Sequence, residues 1–187
     1  MITETPIRHL PTHFKTVDEF EEWERQHIHE GSYEFVRGRI IEKNDVKQNE
    51  YLLLKFLTRL FAQTTAYQRG DELTPEMDSY VDGERKRRPD LAYFTLEQIN
   101  ETGLGIRQKT RFAIEILSDS ESYEDVLEKI QDYFDAGVQL VWYIVPRKKR
   151  IYVYASPDES KAYKGTDVIS AMPVIEGFSF RVEELFG

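Results

Sequence analysis

A chain of 187 residues, 40% apolar and 32% charged, has material for one hydrophobic core and little for a second, so a single globular domain is expected. The absence of cysteine excludes a disulfide framework, thiol catalysis, iron–sulfur clusters and cysteine-ligated zinc. A net charge of −9, from 34 acids and 25 bases, argues against general binding of polyanions unless basic side chains cluster locally.

Residues 1–15, with Pro6 and Pro11, read as an extended arm ahead of a domain over 16–187. This stretch carries Glu4, Arg8 and His9 and lacks the apolar core of a signal peptide. No apolar run approaches the roughly 20 residues that cross a bilayer, so a cytoplasmic protein without membrane association is expected. Thr16 followed by Glu19 is a capping box, and Val17, Phe20 and Trp23 recur at helical spacing. Together they predict a helix over 17–30, ended by Gly31. Next, Phe35, Val36, Ile40 and Ile41 flank Arg37-Gly38, the pattern of two short strands and a tight turn. Leu52, Leu53, Phe56, Leu57, Leu60 and Phe61 then mark a long amphipathic helix over 46–66.

The polar stretch 70–88, punctuated by Gly70, Pro75 and Gly83, supports only short irregular strands. Residues 91–94 and 111–117 read as buried strands with a loop around Gly103 and Gly105 between them. Tyr123, Val126, Leu127, Ile130, Tyr133 and Phe134 predict a helix that Gly137 stops. Strands over 140–145 and 151–154 follow, joined at Pro146 through a basic turn, and a meander of short strands closes the chain. Strand, helix and strand in succession imply a crossover and at least one parallel pair. The expected class is therefore α/β with a mixed central sheet flanked by helices, preceded by an N-terminal helix and β-hairpin.

Few residues offer chemistry. All four histidines lie within the first 29 residues, and they lack a third ligand at helical spacing, so surface histidines are the better reading. Gly-rich phosphate loops and Gly-x-Ser-x-Gly are absent, and Arg69-Gly70-Asp71 is most simply a turn. Two basic clusters, Arg85, Lys86, Arg87 and Arg88, and Arg147, Lys148, Lys149 and Arg150, are each either solvated turns or phosphate contacts. The acids are more telling. Asp90 opens the run to Phe94, and Glu115 sits inside Phe112-Ala-Ile-Glu-Ile-Leu117. An ionised carboxylate among such neighbours costs several kcal/mol, on the order of magnitude known for buried charge, unless a cation or donors compensate it. Either an ion pair or a strand edge would do that without function.

Several stretches in order carry a resemblance: Tyr33-Glu34-Phe35-Val36-Arg37-Gly38, Arg88-Pro89-Asp90, Ile114-Glu115-Ile116-Leu117-Ser118, and Asp125 through Lys129, Tyr133 and Ala136-Gly137-Val138, followed by Val141-Trp142. Over 33–154 the chain resembles the Uma-type family of restriction endonucleases, a branch of the PD-(D/E)XK nuclease superfamily. The resemblance implies a restriction-endonuclease-like fold and hydrolysis of nucleic-acid phosphodiesters, DNA before RNA, with Mg2+ or Mn2+ as cofactor. It assigns Asp90 and Glu115 to the metal, with Glu34 as a further acid that joins or orients the site. Leu117 occupies the slot where the superfamily expects lysine, and the implied substitute is Lys129 on the following helix. Family members commonly carry a histidine at the start of the long helix, where this chain has Asn49. An amide hydrogen-bonds a substrate or water but does not gain a proton near neutral pH.

Magnesium takes oxygen ligands and uses one or two carboxylates beside substrate phosphate, so two acids suffice. The cluster Arg85 to Arg88 leads directly into Asp90 and is expected to contact the nucleic-acid backbone. Two alternatives stay open: a degenerate member that binds nucleic acid or a partner chain without cutting, and a hydrolase of smaller phosphodiesters. Asn49 and the charge of −9 favour these, whereas Asp90, Glu115 and Lys129 together favour catalysis. Tyr143, Tyr152 and Tyr154 alternate along strands, which leaves either a homodimer face or an ordinary core face.

Overall fold

A computed structural model of the chain describes residues 10–43, 48–118 and 121–187, with the Asn49 side chain also outside the description. Residues 10–15 have no regular structure, and Leu10 and Phe14 pack on the first helix and hairpin. Helix α1 (Val17–His27) begins at the Thr16–Glu19 capping box and stops one turn short of Gly31, the chain turning over 28–30. Strands β1 (Tyr33–Val36) and β2 (Arg39–Glu42) form the expected hairpin. Its two turn residues, Arg37 and Gly38, both have positive φ, 46° and 84°. That geometry matches the right-handed twist of the strands it joins.

Helix α2 (Gln48–Phe61) ends five residues before the predicted position. The Thr64 hydroxyl accepts the Tyr67 amide and starts a separate short helix, α3 (Thr65–Gln68). Short strands β3 (Glu72–Pro75), β4 (Ser79–Tyr80) and β5 (Arg85–Arg87) precede β6 (Leu91–Phe94). The region expected as a loop around Gly103 holds a helix, α4 (Leu96–Gly103), built on a Thr95–Gln98 capping box. None of its residues is fully buried, so it left no core stripe in the sequence.

After β7 (Phe112–Ile116), helix α5 (Tyr123–Asp135) starts at a Ser122–Asp125 capping box. It ends as predicted, with Gly137 at φ 91° just beyond the cap. Strands β8 (Leu140–Val145) and β9 (Arg150–Tyr154) are joined through a 3-10 turn, Pro146–Lys148. The C-terminal meander is β10 (Ser160–Lys164), β11 (Val168–Ser170) and β12 (Ser179–Arg181), closed by a short helix, α6 (Val182–Phe186), that the sequence did not announce.

The central sheet has the order β10-β9-β8-β7-β6-β3. Only β7 and β8 are parallel within it, with α5 as their crossover, so the sheet is mixed as expected. Strand alternation divides the core. Phe112, Ile114 and Ile116 of β7 join Leu53, Leu57 and Phe61 of α2, with Trp142, Phe178 and Phe180 packed among them. The opposite face of the sheet presents Ala113 and Glu115 toward α5, beside Val141 and Tyr143. A separate four-stranded sheet, β2-β1-β5-β4, carries α1 on Phe35, with Phe20 stacked on that ring at 5.1 Å.

Tyr143 is 2% exposed and packs with Val126 and Ile130 of α5, while Tyr152 and Tyr154 are partly buried against the same cluster. These tyrosines are a core face covered from within the chain. They give no argument for a second subunit, which corrects the homodimer expectation drawn from them.

Candidate active site

The β6–β7 register pairs Leu91 with Ile114, and one step further it sets Asp90 opposite Glu115. Side chains directly opposite in an antiparallel pair share a face and lie within about 5.5 Å at Cβ. Asp90 is anchored on both oxygens: Oδ2 accepts the Ile116 amide at 2.7 Å and Oδ1 accepts the Lys43 ammonium at 2.8 Å. Lys43 also donates to the Arg88 carbonyl at 2.6 Å, which ties the end of the hairpin to the Pro89-Asp90 turn. Sequence reasoning missed Lys43. It has no local signature, because its partners lie 45 and 47 residues away.

Glu115 is 2% exposed and its Oε1 accepts a hydrogen bond from the Tyr133 hydroxyl, one turn beyond Lys129 on α5. Lys129 sends its ammonium inward, 3.1 Å from Glu121 Oε1, 3.6 Å from Glu115 Oε2 and 4.0 Å from Glu34 Oε1. Asp125, one turn earlier on the helix, is engaged with Ser122 and not with Lys129. Glu121 is a second residue that the sequence did not single out. It accepts from Lys129, from the Tyr143 hydroxyl at 2.9 Å and from the Ser118 amide at 3.2 Å.

Glu34 is buried with both oxygens engaged. Oε2 accepts from Arg87 at 3.0 Å and Oε1 from the Arg88 amide at 3.0 Å. Glu34 thereby orients the cations around the site, Arg87 and, at 4.0 Å, Lys129. The Asn49 expectation lies outside the described residues.

The cluster Arg85 to Arg88 turns inward. Lys86 is fully buried between Glu24 and Asp78 and over the Phe20 ring. Arg87 bridges Glu34 and Asp132, Arg85 reaches Asp82, Asp132 and Asp135, and Arg88 pairs with Glu24 and Asp78. The expected contact of these four with a nucleic-acid backbone is therefore corrected: their charges are already neutralised inside the molecule. The physical reason is strand geometry, since three consecutive residues of β5 alternate faces and both faces are packed.

Electrostatics differ sharply between the two buried glutamates. Burial pushes Glu34 up, but Lys129, Arg87, Lys43 and the Arg88 amide outweigh it and hold the carboxyl at about 2. For Glu115, burial together with the Asp90 and Glu34 charges prevails over Lys129 and Lys43, and its carboxyl is pushed up to about 7. Burial disfavours the ammonium of Lys129, yet Glu115 and Glu34 keep it well above the ordinary lysine value. Lys43 is likewise raised against its burial, by Asp90, Glu115 and Glu34.

Asp90, Glu115, Glu34, Lys43, Lys129 and Glu121 all line one cleft of about 250 Å3, open between the hairpin, the start of α2 and the start of α5. Among the described residues no three acidic or imidazole side chains form a ready-made metal shell. The pair Asp90 and Glu115 does offer hard carboxylate oxygens, side by side and facing the cleft, which fits a magnesium-type ion that keeps waters and shares substrate oxygens.

No curated protein matches the chain. A solved structure, titled a putative nuclease belonging to DUF820 from Anabaena variabilis ATCC 29413, is similar at a TM-score of 0.73 and 19% identity. The similarity covers 91% of this chain and 97% of that one, and it shows the nuclease-like fold. Residues 17–183 match the model of the Uma2 family, described as "Putative restriction endonuclease". With nearly its whole length matched, the chain belongs to the Uma2 family.

Proposed function

We propose that this chain is an endodeoxyribonuclease that hydrolyses phosphodiester bonds of DNA with Mg2+ or Mn2+ held by Asp90 and Glu115. The observation that carries this reading is convergence. Asp90 from the turn before β6, Glu115 from β7 and Lys129 from α5 are distant in sequence and meet in one cleft. When bound, such a cation lowers the pKa of a coordinated water and offsets charge on the phosphoryl oxygens. The protein's own groups do the rest. Lys129 brings a desolvated ammonium to the face where charge develops on the phosphate, and a fixed cation in a partly dry site is worth far more than in water. Tyr133 fixes the orientation of Glu115, Lys43 holds Asp90 toward the cleft, and Glu34 and Glu121 keep Lys129 ionised and aimed.

The test is cleavage of supercoiled plasmid, linear duplex and single-stranded DNA with Mg2+ or Mn2+, with EDTA as control. Metal-dependent cutting of a DNA substrate supports the reading. Binding of DNA without cutting under any metal overturns it in favour of a degenerate binding module.

A further inference from the structure

The end of the central sheet that carries Asp90 and Glu115 continues sideways into basic residues. Ile116 lies opposite Ile144 in the parallel β7–β8 pair, and the Leu117 amide donates to the Ile144 carbonyl at 2.8 Å. The chain leaves β8 at this end through Pro146–Lys148 and returns as β9. Strand β10 then comes back to the same end, where Lys164 pairs with Arg150. Arg147, Lys148, Lys149, Arg150 and Lys164 thus gather along one edge beside the cleft, and all but the half-buried Arg150 are exposed.

The acids nearby leave this edge positive. Asp167 accepts the Lys164 amide at 2.9 Å, and Glu183 borders a small hollow with Lys149, whose ammonium is 3.4 Å from the Gly187 carbonyl; the five bases outnumber these two acids. Lys148, Arg150 and Lys164 form no ion pair among the described residues. Arg85 to Arg88, by contrast, are each held by one or more acids.

We infer that this basic edge carries the phosphodiester backbone of a DNA duplex whose reacting phosphate sits at Asp90 and Glu115. The inference rests on the nuclease reading and adds where the substrate lies. From β7 to β10 is three strand spacings, about 14 Å. At about 3.4 Å of helix axis per phosphate on a strand, that reaches roughly four phosphates beyond the reacting one. A local cluster of this kind is also what a chain of net charge −9 needs in order to hold a polyanion.

The variant Lys148→Gln/Lys149→Gln/Lys164→Gln tests it, because all three side chains are exposed and the fold should not notice their loss. Anisotropy of a labelled 20-base-pair DNA duplex, titrated in EDTA across a range of salt, reads the result. Each lost phosphate contact removes about 0.9 from the slope of log K against log salt, so the triple variant should be shallower by about two to three. The control is Lys109→Gln/Arg111→Gln, exposed residues at the other end of β7, which should keep the wild-type slope. A triple variant with the wild-type slope overturns the basic edge and leaves the nuclease reading standing, provided wild-type protein binds the duplex. Wild-type protein that neither binds the duplex nor cuts DNA overturns both.

Discussion

Arg87→Met is the sharpest probe of how the site is held together. The Arg87 guanidinium is 2% exposed and donates to Asp132 through Nε at 2.9 Å and Nη2 at 2.5 Å, and to Glu34 through Nη1 at 3.0 Å. Methionine keeps most of the stem's volume but strands two buried carboxylates. Breaking a buried pair by removing one partner costs about 3 to 5 kcal/mol, because the remaining charge is left uncompensated. Partial compensation survives here: Asp132 keeps Arg85 at 2.6 Å and Arg37 at 3.3 Å, and Glu34 keeps the Arg88 amide. The expected loss is therefore at the low end, about 3 kcal/mol, or roughly 6 to 12 °C in Tm for a domain of this size. Thermal and urea unfolding followed by circular dichroism would measure it. Adding Glu34→Gln to Arg87→Met should recover part of the loss, since a neutral amide no longer needs the cation. A single variant that melts within 2 °C of wild type would refute the view that these bases are structural and would return the cluster to solvent.

Lys129→Met should leave the fold and divalent-metal binding in place and remove most DNA cleavage, because the ammonium 3.6 Å from Glu115 is the one placed against the reacting phosphate in this mechanism. Cleavage at the wild-type rate would sink that role. Glu115 should also shape the pH dependence of stability in EDTA. Its folded carboxyl, at about 7 against an ordinary 4.5, keeps a proton that the unfolded chain releases. Stability therefore falls as pH rises from about 4.5 through 7, by at most about 1.4 kcal/mol per pH unit. Glu34, held at about 2, acts oppositely, and its contribution is lost as pH falls below 4.5. Glu115→Gln should flatten the decline between pH 5 and 7.5 in urea midpoints, and an unchanged decline would contradict the assignment.

The hairpin turn at Arg37-Gly38, the apolar stripes of α2 and α5, and the buried run around Glu115 were legible because each is a local pattern of spacing and turn chemistry. Helix α4 was not, since it buries no residue fully and its only mark is the Thr95–Gln98 capping box. The inward turn of Arg85 to Arg88 was hidden for another reason. Its partners, Glu24, Asp78, Asp132 and Asp135, sit on other elements, and only tertiary pairing brings them together. A warning was nonetheless present in the sequence. Helix α5 holds Glu124, Asp125, Glu128, Asp132 and Asp135 against the single Lys129, an acidic surplus that calls for bases from elsewhere. Lys43 and Glu121 share this character, being ordinary charged residues in connecting segments whose role comes from position alone.

The central claim is that Asp90 and Glu115 share one divalent cation, and titration calorimetry of Mg2+ and Mn2+ into wild-type, Asp90→Asn and Glu115→Gln protein tests it most directly. The account predicts one site in the wild type and affinity weakened about tenfold or more, some 1.4 kcal/mol, in each variant, with unchanged circular dichroism. Unchanged metal affinity in both variants would contradict it.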